Sequence, residues 1–194
     1  MYIDFAKPIH HWNYFLAIEH DMLKTARYVE ICKDNLKTYS VEYTKIILAA
    51  ASEVDVLLKQ IYLALGGDKE RPNFGDYYHA IKEKLPAFFL EPLHFEQYNI
   101  GFDPFTEWEN GLKLSWHEAF NNLKHNRTEN YKDANLENAL LSLSALYTTV
   151  VHYYLCSAPL KASIKERPLL DVIQSLSPHS KMMQFSNHPQ SFCM

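Results

Sequence analysis

Apolar positions recur three and four apart along most of the chain, and apolar–polar alternation is nowhere sustained, so the pattern predicts helices throughout. From Trp12 to Lys37, the positions Trp12, Phe15, Leu16, Met22, Leu23, Ala26, Val29 and Ile31 keep helical spacing with no Gly or Pro between them, which predicts one long helix. Ser40 then offers an N-cap, and Glu42 an acidic first turn. The stripe Ile46, Ala50, Val54, Leu57, Ile61 and Leu65 predicts a second helix ending at Gly66-Gly67. Phe74, Tyr77, Tyr78, Ile81 and Leu85 predict a shorter helix stopped by Pro86.

Between Pro86 and Gly111 the breakers Pro92, Gly101 and Pro104 forbid a long helix, yet Phe88, Phe89, Leu90, Phe95, Phe102, Phe105 and Trp108 are too apolar for a solvated linker. An ordered aromatic excursion packed on the bundle is expected there. Helical spacing returns with Leu112, Trp116, Ala119, Phe120 and Leu123, and Asp133 is placed to cap a last long helix from about Asn135 to Cys156. That helix is apolar nearly all round, as Leu136, Leu140, Leu143, Leu146, Tyr147, Val150, Val151 and Tyr154 show, so it belongs at the centre of a bundle or on a dimer face. Beyond it, Pro159, Pro168, Pro178 and Pro189 punctuate the C-terminal residues, around one short amphipathic piece from Leu169 to Leu176. The expected architecture is all-α, a bundle of about four to five main helices over residues 1–158, with a tail over 159–194.

Composition narrows the function classes. A length of 194 residues suits one domain with its own core. Five Gly, with no Gly-x-Gly and no Gly-Lys-Ser/Thr string, leave no material for a glycine-rich phosphate loop. A net charge of −4 means that contact with nucleic acid or an anionic membrane must be local rather than driven by bulk attraction. Cys32, Cys156 and Cys193 are far apart, which fits a reducing cytoplasm and no disulfide framework. The first residues lack a signal-peptide core and no run approaches 18 apolar residues, so a soluble cytoplasmic protein with no membrane contact is expected. Ten His residues include no His-x-x-x-His or His-Glu-x-x-His pair, so neither a metal nor another cofactor is expected. The 13 Tyr and 11 Phe, with the apolar last helix, point to a C2 homodimer.

The most informative stretch is Trp116-His117-Glu118-Ala119-Phe120-Asn121-Asn122-Leu123-Lys124-His125-Asn126-Arg127. A neutral imidazole at His125 has the chemistry to take a proton from a ribose 2′-hydroxyl. Lys124 and Arg127 have the charge to offset what builds on the phosphorane, all without a metal. At 100° per residue a regular helix through Arg127 puts it on the Trp116, Phe120 and Leu123 stripe, opposite His125. The two cooperate only if the helix ends first or a partner chain supplies one of them. The competing reading makes Lys124, His125 and Arg127 a solvated complement to the helix dipole, each worth about 0.3–1 kcal/mol. Glu53 lies at the edge of the second helix's apolar stripe, where a carboxylate needs a cation, and Arg127 is the expected partner. His117 and Asn121, four apart, share one helical face and flank the same region.

An aromatic followed by Asn-x-x-Lys-His-x-Arg and an apolar helix opening Ala-x-Leu, here Phe120, Asn121 or Asn122, Lys124, His125, Arg127 and Ala134 to Leu136, resembles one branch of the HEPN superfamily. That resemblance implies a dimerising helical bundle and a metal-independent ribonuclease or RNA-binding protein of a defence or toxin system. It implies His125 and Arg127 as catalytic residues, with Lys124, Asn121, Asn126 and Glu53 on the substrate. The superfamily's better-known ribonuclease motif is Arg, four to six residues, then His. None of Arg27, Arg71, Arg127 and Arg167 is followed by His at that spacing. A non-catalytic helical dimer that binds a protein or small-molecule partner is therefore the alternative expectation.

Overall fold

A computed structural model describes residues 9–89, 92–157 and 169–186. The protein is mostly helical. Helix α1 (His10–Thr25) buries Trp12, Phe15, Ile18, Glu19 and Met22 along one stripe. Helix α2 (Val41–Ala64) starts where Ser40 Oγ accepts from the Tyr43 amide at 3.2 Å. It stops in a Schellman turn at Gly66, φ 86°, with the Gly67 and Gly66 amides on the Tyr62 and Leu63 carbonyls. Helix α3 (Phe74–Lys84) opens on a capping box between Asn73 and Asp76. A four-residue helix, α4 (Thr106–Glu109), precedes α5 (Ser115–His125), α6 (Leu136–Ser157) and α7 (Leu169–Ser175).

The first predicted helix is interrupted. Instead of reaching Lys37 it ends at Thr25, whose Oγ1 donates to the Met22 carbonyl at 2.7 Å. The chain from Leu36 to Ser40 is needed in another form. The Leu136 and Glu137 amides, first donors of α6, bond the Thr38 and Leu36 carbonyls at 2.9 and 3.0 Å, and the Ser40 amide bonds the Ala134 carbonyl. A helix through Lys37 would have left those α6 donors bare. The third donor, the amide of Asn138, goes to Asn135 Oδ1 at 2.9 Å. The side-chain cap of α6 is therefore Asn135 and not Asp133, whose backbone carbonyl accepts from the Asn138 side-chain amide instead.

α6 is the centre of the bundle. It is long and apolar enough by length and composition to cross a membrane, but 78% of its most apolar window is buried inside this chain, as a core helix requires. α2 runs along it in the most extensive helix contact, with α1, α5 and α7 around the remaining sides. The aromatic excursion is ordered and carries the departure from an all-α chain. Strands β1 (Leu93–Phe95) and β2 (Ile100–Phe102) form a hairpin, and β3 (Gln184–Phe185) adds to the other edge of β1. Alternation over three residues is too short to register as a strand in sequence. Phe88, Phe95 and Phe105 are buried there, and Trp116 Nε1 donates to the Pro104 carbonyl at 2.8 Å.

Residues 169–186 contribute Val172, Ile173, Leu176, Met182, Met183 and Phe185 to the same core. Glu19, 2% exposed, holds this segment: its carboxylate accepts from the Lys181 and Met182 amides at 3.1 Å and from the Ser180 hydroxyl. Trp12 Nε1 donates to the Pro178 carbonyl at 2.9 Å. Glu19→Ala leaves these buried donors unsatisfied and is expected to cost about 2–4 kcal/mol in urea melts, with Glu19→Gln milder. Equal stability of Glu19→Ala and the wild type would show that the segment is not held this way.

His152 on α6 is fully buried, its Nδ1 on the Thr148 carbonyl at 2.8 Å and its ring 4.9 Å from Phe88. Burial pushes its pKa from 6.5 down to about 4. The unfolded chain takes up a proton near pH 6.5 while the folded chain stays neutral, so stability rises with pH across this window. This contribution is complete above pH 6.5 and lost as pH falls toward 4, on the order of 3 kcal/mol. The difference in stability between wild type and His152→Leu, followed by denaturation from pH 7 to 4, is expected to shift by that amount. A pH-independent difference would mean that His152 titrates alike in both states.

Candidate functional site

α5 carries most of the candidate residues. Its buried face, Trp116, Ala119, Phe120 and Leu123, packs on α2 and α6, which fixes the direction of everything else on the helix. Lys124, His125, Asn126 and Arg127 are exposed at its C-terminal end. The helix stops at His125, and Asn126 leaves helical geometry at φ −146° and ψ 58°. Helical geometry therefore does not fix how Arg127 lies relative to His125. Arg127 folds back to donate from Nε to the Leu123 carbonyl at 3.3 Å. Lys124 holds its ammonium 5.2 Å from the centroid of the Phe120 ring.

The carboxylates near this helix end are occupied by amides. Asn126 Nδ2 donates to Glu129 at 2.6 Å, and Asn122 Nδ2 to Asp133 at 2.8 Å. Lys24, Lys37, Lys45, Lys69 and Lys113 each face a carboxylate. Among the described residues, Lys124, His125 and Arg127 face none, as is also true of Arg27, Lys33, Lys59, Arg71 and Lys132, and the His125 side chain makes no hydrogen bond.

Glu53 stands apart from this group. Its Oε1 lies 2.5 Å from Nδ1 of His11, and the two side chains are 17% and 28% exposed. The expected partnership with Arg127 is replaced because the edge of α2 that carries Glu53 faces α1, which brings His11 to it. The His11 ring also meets Tyr153 edge-on at 4.9 Å.

Asn121 points to a feature that sequence reading did not assemble. α3, α4 and α5 bound a cleft of about 790 Å³. Phe74 and Tyr78 of α3 and Trp108 of α4 form its aromatic wall, with ring centroids 5.4 Å apart for Phe74 and Trp108 and 5.6 Å for Tyr78 and Trp108. His117 and Asn121 line it from α5, and the Phe74 ring lies 4.1 Å from that of His117. Beside His117 is Asp55 of α2, with Oδ1 3.4 Å from Nε2. Both atoms are buried, and at this length and angle they form no regular hydrogen bond. Asn121 Nδ2 lies 3.4 Å from Nδ1 on the other side of the ring. The spacings His117 to Asn121 and Phe74 to Tyr78 are visible in the sequence. The closeness of Asp55 and Trp108 to them is not.

Cys156 offers no nucleophile, since burial pushes its thiol up to about 11. Among the described residues no three His, Cys, Asp or Glu side chains converge in a metal-ligand group. Cys193 and Arg167 lie outside the described residues. Compared with protein-family models, curated proteins and solved structures, the chain matches none.

The two readings of Glu53 separate in a double-mutant cycle. His11→Ala with Glu53→Gln is expected to show about 1 kcal/mol of coupling in denaturant melts, while Arg127→Met with Glu53→Gln is additive. Coupling to Arg127 and not to His11 would overturn the assignment.

Proposed function

We propose that the protein binds single-stranded RNA in the manner of a HEPN-like helical protein, taking backbone phosphates at the C-terminal end of α5. The observation that carries this reading is the cluster Lys124, His125 and Arg127, exposed within four successive residues and free of carboxylate partners while nearby acids are held by Asn122 and Asn126. An unpaired cation binds phosphate without first giving up an ion pair, so local binding is compatible with a net charge of −4. The main-chain stop after His125 lets one protomer present all three groups, so binding does not depend on a second copy.

Cleavage is a second reading, supported by the residue types at that helix end, a histidine with a lysine one position before it and an arginine two positions after it. His125 as general base would take the 2′-hydroxyl proton as that oxygen attacks the adjacent phosphorus, with Arg127 and Lys124 stabilising the added negative charge. The leaving 5′-oxygen takes up a proton, and a 2′,3′-cyclic phosphate remains.

Filter binding of a short single-stranded RNA against salt tests the first reading, since each neutralised phosphate contributes about −0.7 to the log–log slope. Lys124→Ala with Arg127→Ala is expected to lower affinity and to reduce the slope by about 1–1.4. A flat response in the wild type would remove RNA and favour a protein or small-molecule partner. In the same samples, EDTA-resistant cleavage that His125→Ala abolishes without loss of binding supports the second reading. Intact RNA after prolonged incubation leaves binding alone.

A further inference from the structure

The cleft between α3, α4 and α5 joins an aromatic wall to an excess of carboxylate. Trp108, 7% exposed, is packed by the buried rings of Phe89 and Phe105 at 6.1 and 5.7 Å between centroids, which fixes its place in the wall. The planes of Phe74 and Tyr78 are tilted from that of Trp108 by 48° and 44°. The three rings are therefore facets of a concave surface rather than one flat platform. What they share is a negative π face, which attracts cations. The chain itself provides an example, since the Lys82 ammonium lies 5.1 Å from the Tyr78 centroid and donates to its hydroxyl at 2.6 Å. Lys82 is not among the residues that line the cleft, so it does not fill the cavity side of the wall.

The surrounding charge has the sign that suits a cation. Glu118 lines the cleft, and its partner Lys113 stands 3.7 Å away, with the two side chains 57% and 86% exposed, a contact too loose and solvated to neutralise it. Asp55, beside His117, meets no lysine or arginine among the described residues, and its Oδ1 is buried without a hydrogen bond. Glu107 and Glu109 flank Trp108 in the chain and enter no ion pair among the described residues. An anion would meet this excess with Lys113 alone to hold it, and a neutral hydrocarbon would leave it unused. The lining also decides the kind of cation. A primary ammonium brings three N–H donors that need acceptors once it leaves water. The enclosed part of the cleft is instead apolar, with Trp108 and Leu114 buried and Phe74 half-buried, while the Glu118 carboxylate stands at the exposed rim. That arrangement suits a cation that carries methyl groups in place of N–H donors.

We propose that the cleft binds a small quaternary ammonium compound, its trimethylammonium head against Phe74, Tyr78 and Trp108, with Glu118 facing the charge from the rim. The cavity of about 790 Å³ is within the range of small-molecule sites. Glu118 is in the first turn of α5 and Lys124 in its last, so a ligand in the cleft and phosphates at the helix end use different groups.

Calorimetric titration of the full chain with choline, with tetramethylammonium and with the neutral tert-butyl analogue of choline, in which carbon replaces nitrogen, tests this. Saturable binding is expected for both cations, with the neutral analogue about tenfold weaker than choline. Glu118→Gln, a change on an exposed side chain, is expected to weaken choline about threefold, and Lys113→Gln, which removes a competing cation, to strengthen it by a similar factor. Trp108→Phe, with an unchanged melting curve as the check on folding, is expected to weaken choline more than the neutral analogue. Equal affinity for choline and its neutral analogue would show that the cleft takes apolar groups regardless of charge and overturns the site. Binding of neither cation overturns it, as does choline affinity left unmoved by both Glu118→Gln and Trp108→Phe. None of these outcomes involves RNA, so the phosphate reading stands or falls separately on its own salt titration.

Discussion

A helix that is buried on nearly every side organises this protein. α6 is apolar nearly all round, so the other elements are arranged by the need to cover it. α2 covers it along its length, while α1, α5 and α7 close the remaining sides. Covering its start is as demanding as covering its sides, because the first amides of a buried helix need acceptors. The carbonyls of Leu36 and Thr38 and the side chain of Asn135 supply them. One requirement thus accounts both for the bundle and for the break in the first predicted helix.

α5 inherits its role from that arrangement. With Trp116, Phe120 and Leu123 committed to the core, the opposite and flanking positions of a short helix have to face outward. His117 and Asn121 come to line a cleft, and Lys124 to Arg127 come to crown its end. The irregular segment before it serves the same purpose. Its aromatic residues fill the space between α3 and α5, and Trp108 carries that packing to the cleft as a wall.

Three histidines show how environment sets the use of one side chain. His152, sealed among Phe88 and Phe185, is kept neutral by the cost of burying its charged form. His11 meets a carboxylate across two helices and ties α1 to α2. His117 also lies beside a carboxylate, 3.4 Å from Asp55 and without a regular hydrogen bond to it, and its ring borders the open cleft. Glu53 and Asp55 lie two apart on α2, and the roughly 200° between them is what sends one toward α1 and the other toward α5.

Elements whose signals are local were legible in the chain alone. Periodicity marks α2, α3, α5 and α6, Ser40 caps α2, Gly66 ends it, and Pro86 comes just after the end of α3. The candidate stretch from Asn121 to Arg127 was equally legible, because its residues are consecutive on one helix and its end. The break after Thr25 was settled by packing, since the acceptors that α6 needs lie about a hundred residues away in the chain. Packing also settled the three short strands, whose pairing partner Phe185 lies more than ninety residues beyond Leu93, and the choice of His11 over Arg127 for Glu53. The cleft belongs to the same class. Asp55, Phe74, Trp108 and His117 carry no shared spacing, and only the packing of α2, α3 and α4 against α5 brings an acid, an aromatic wall and a histidine to one place. Periodicity reports which face of an element is apolar, whereas which elements meet is set by burial of the whole core at once.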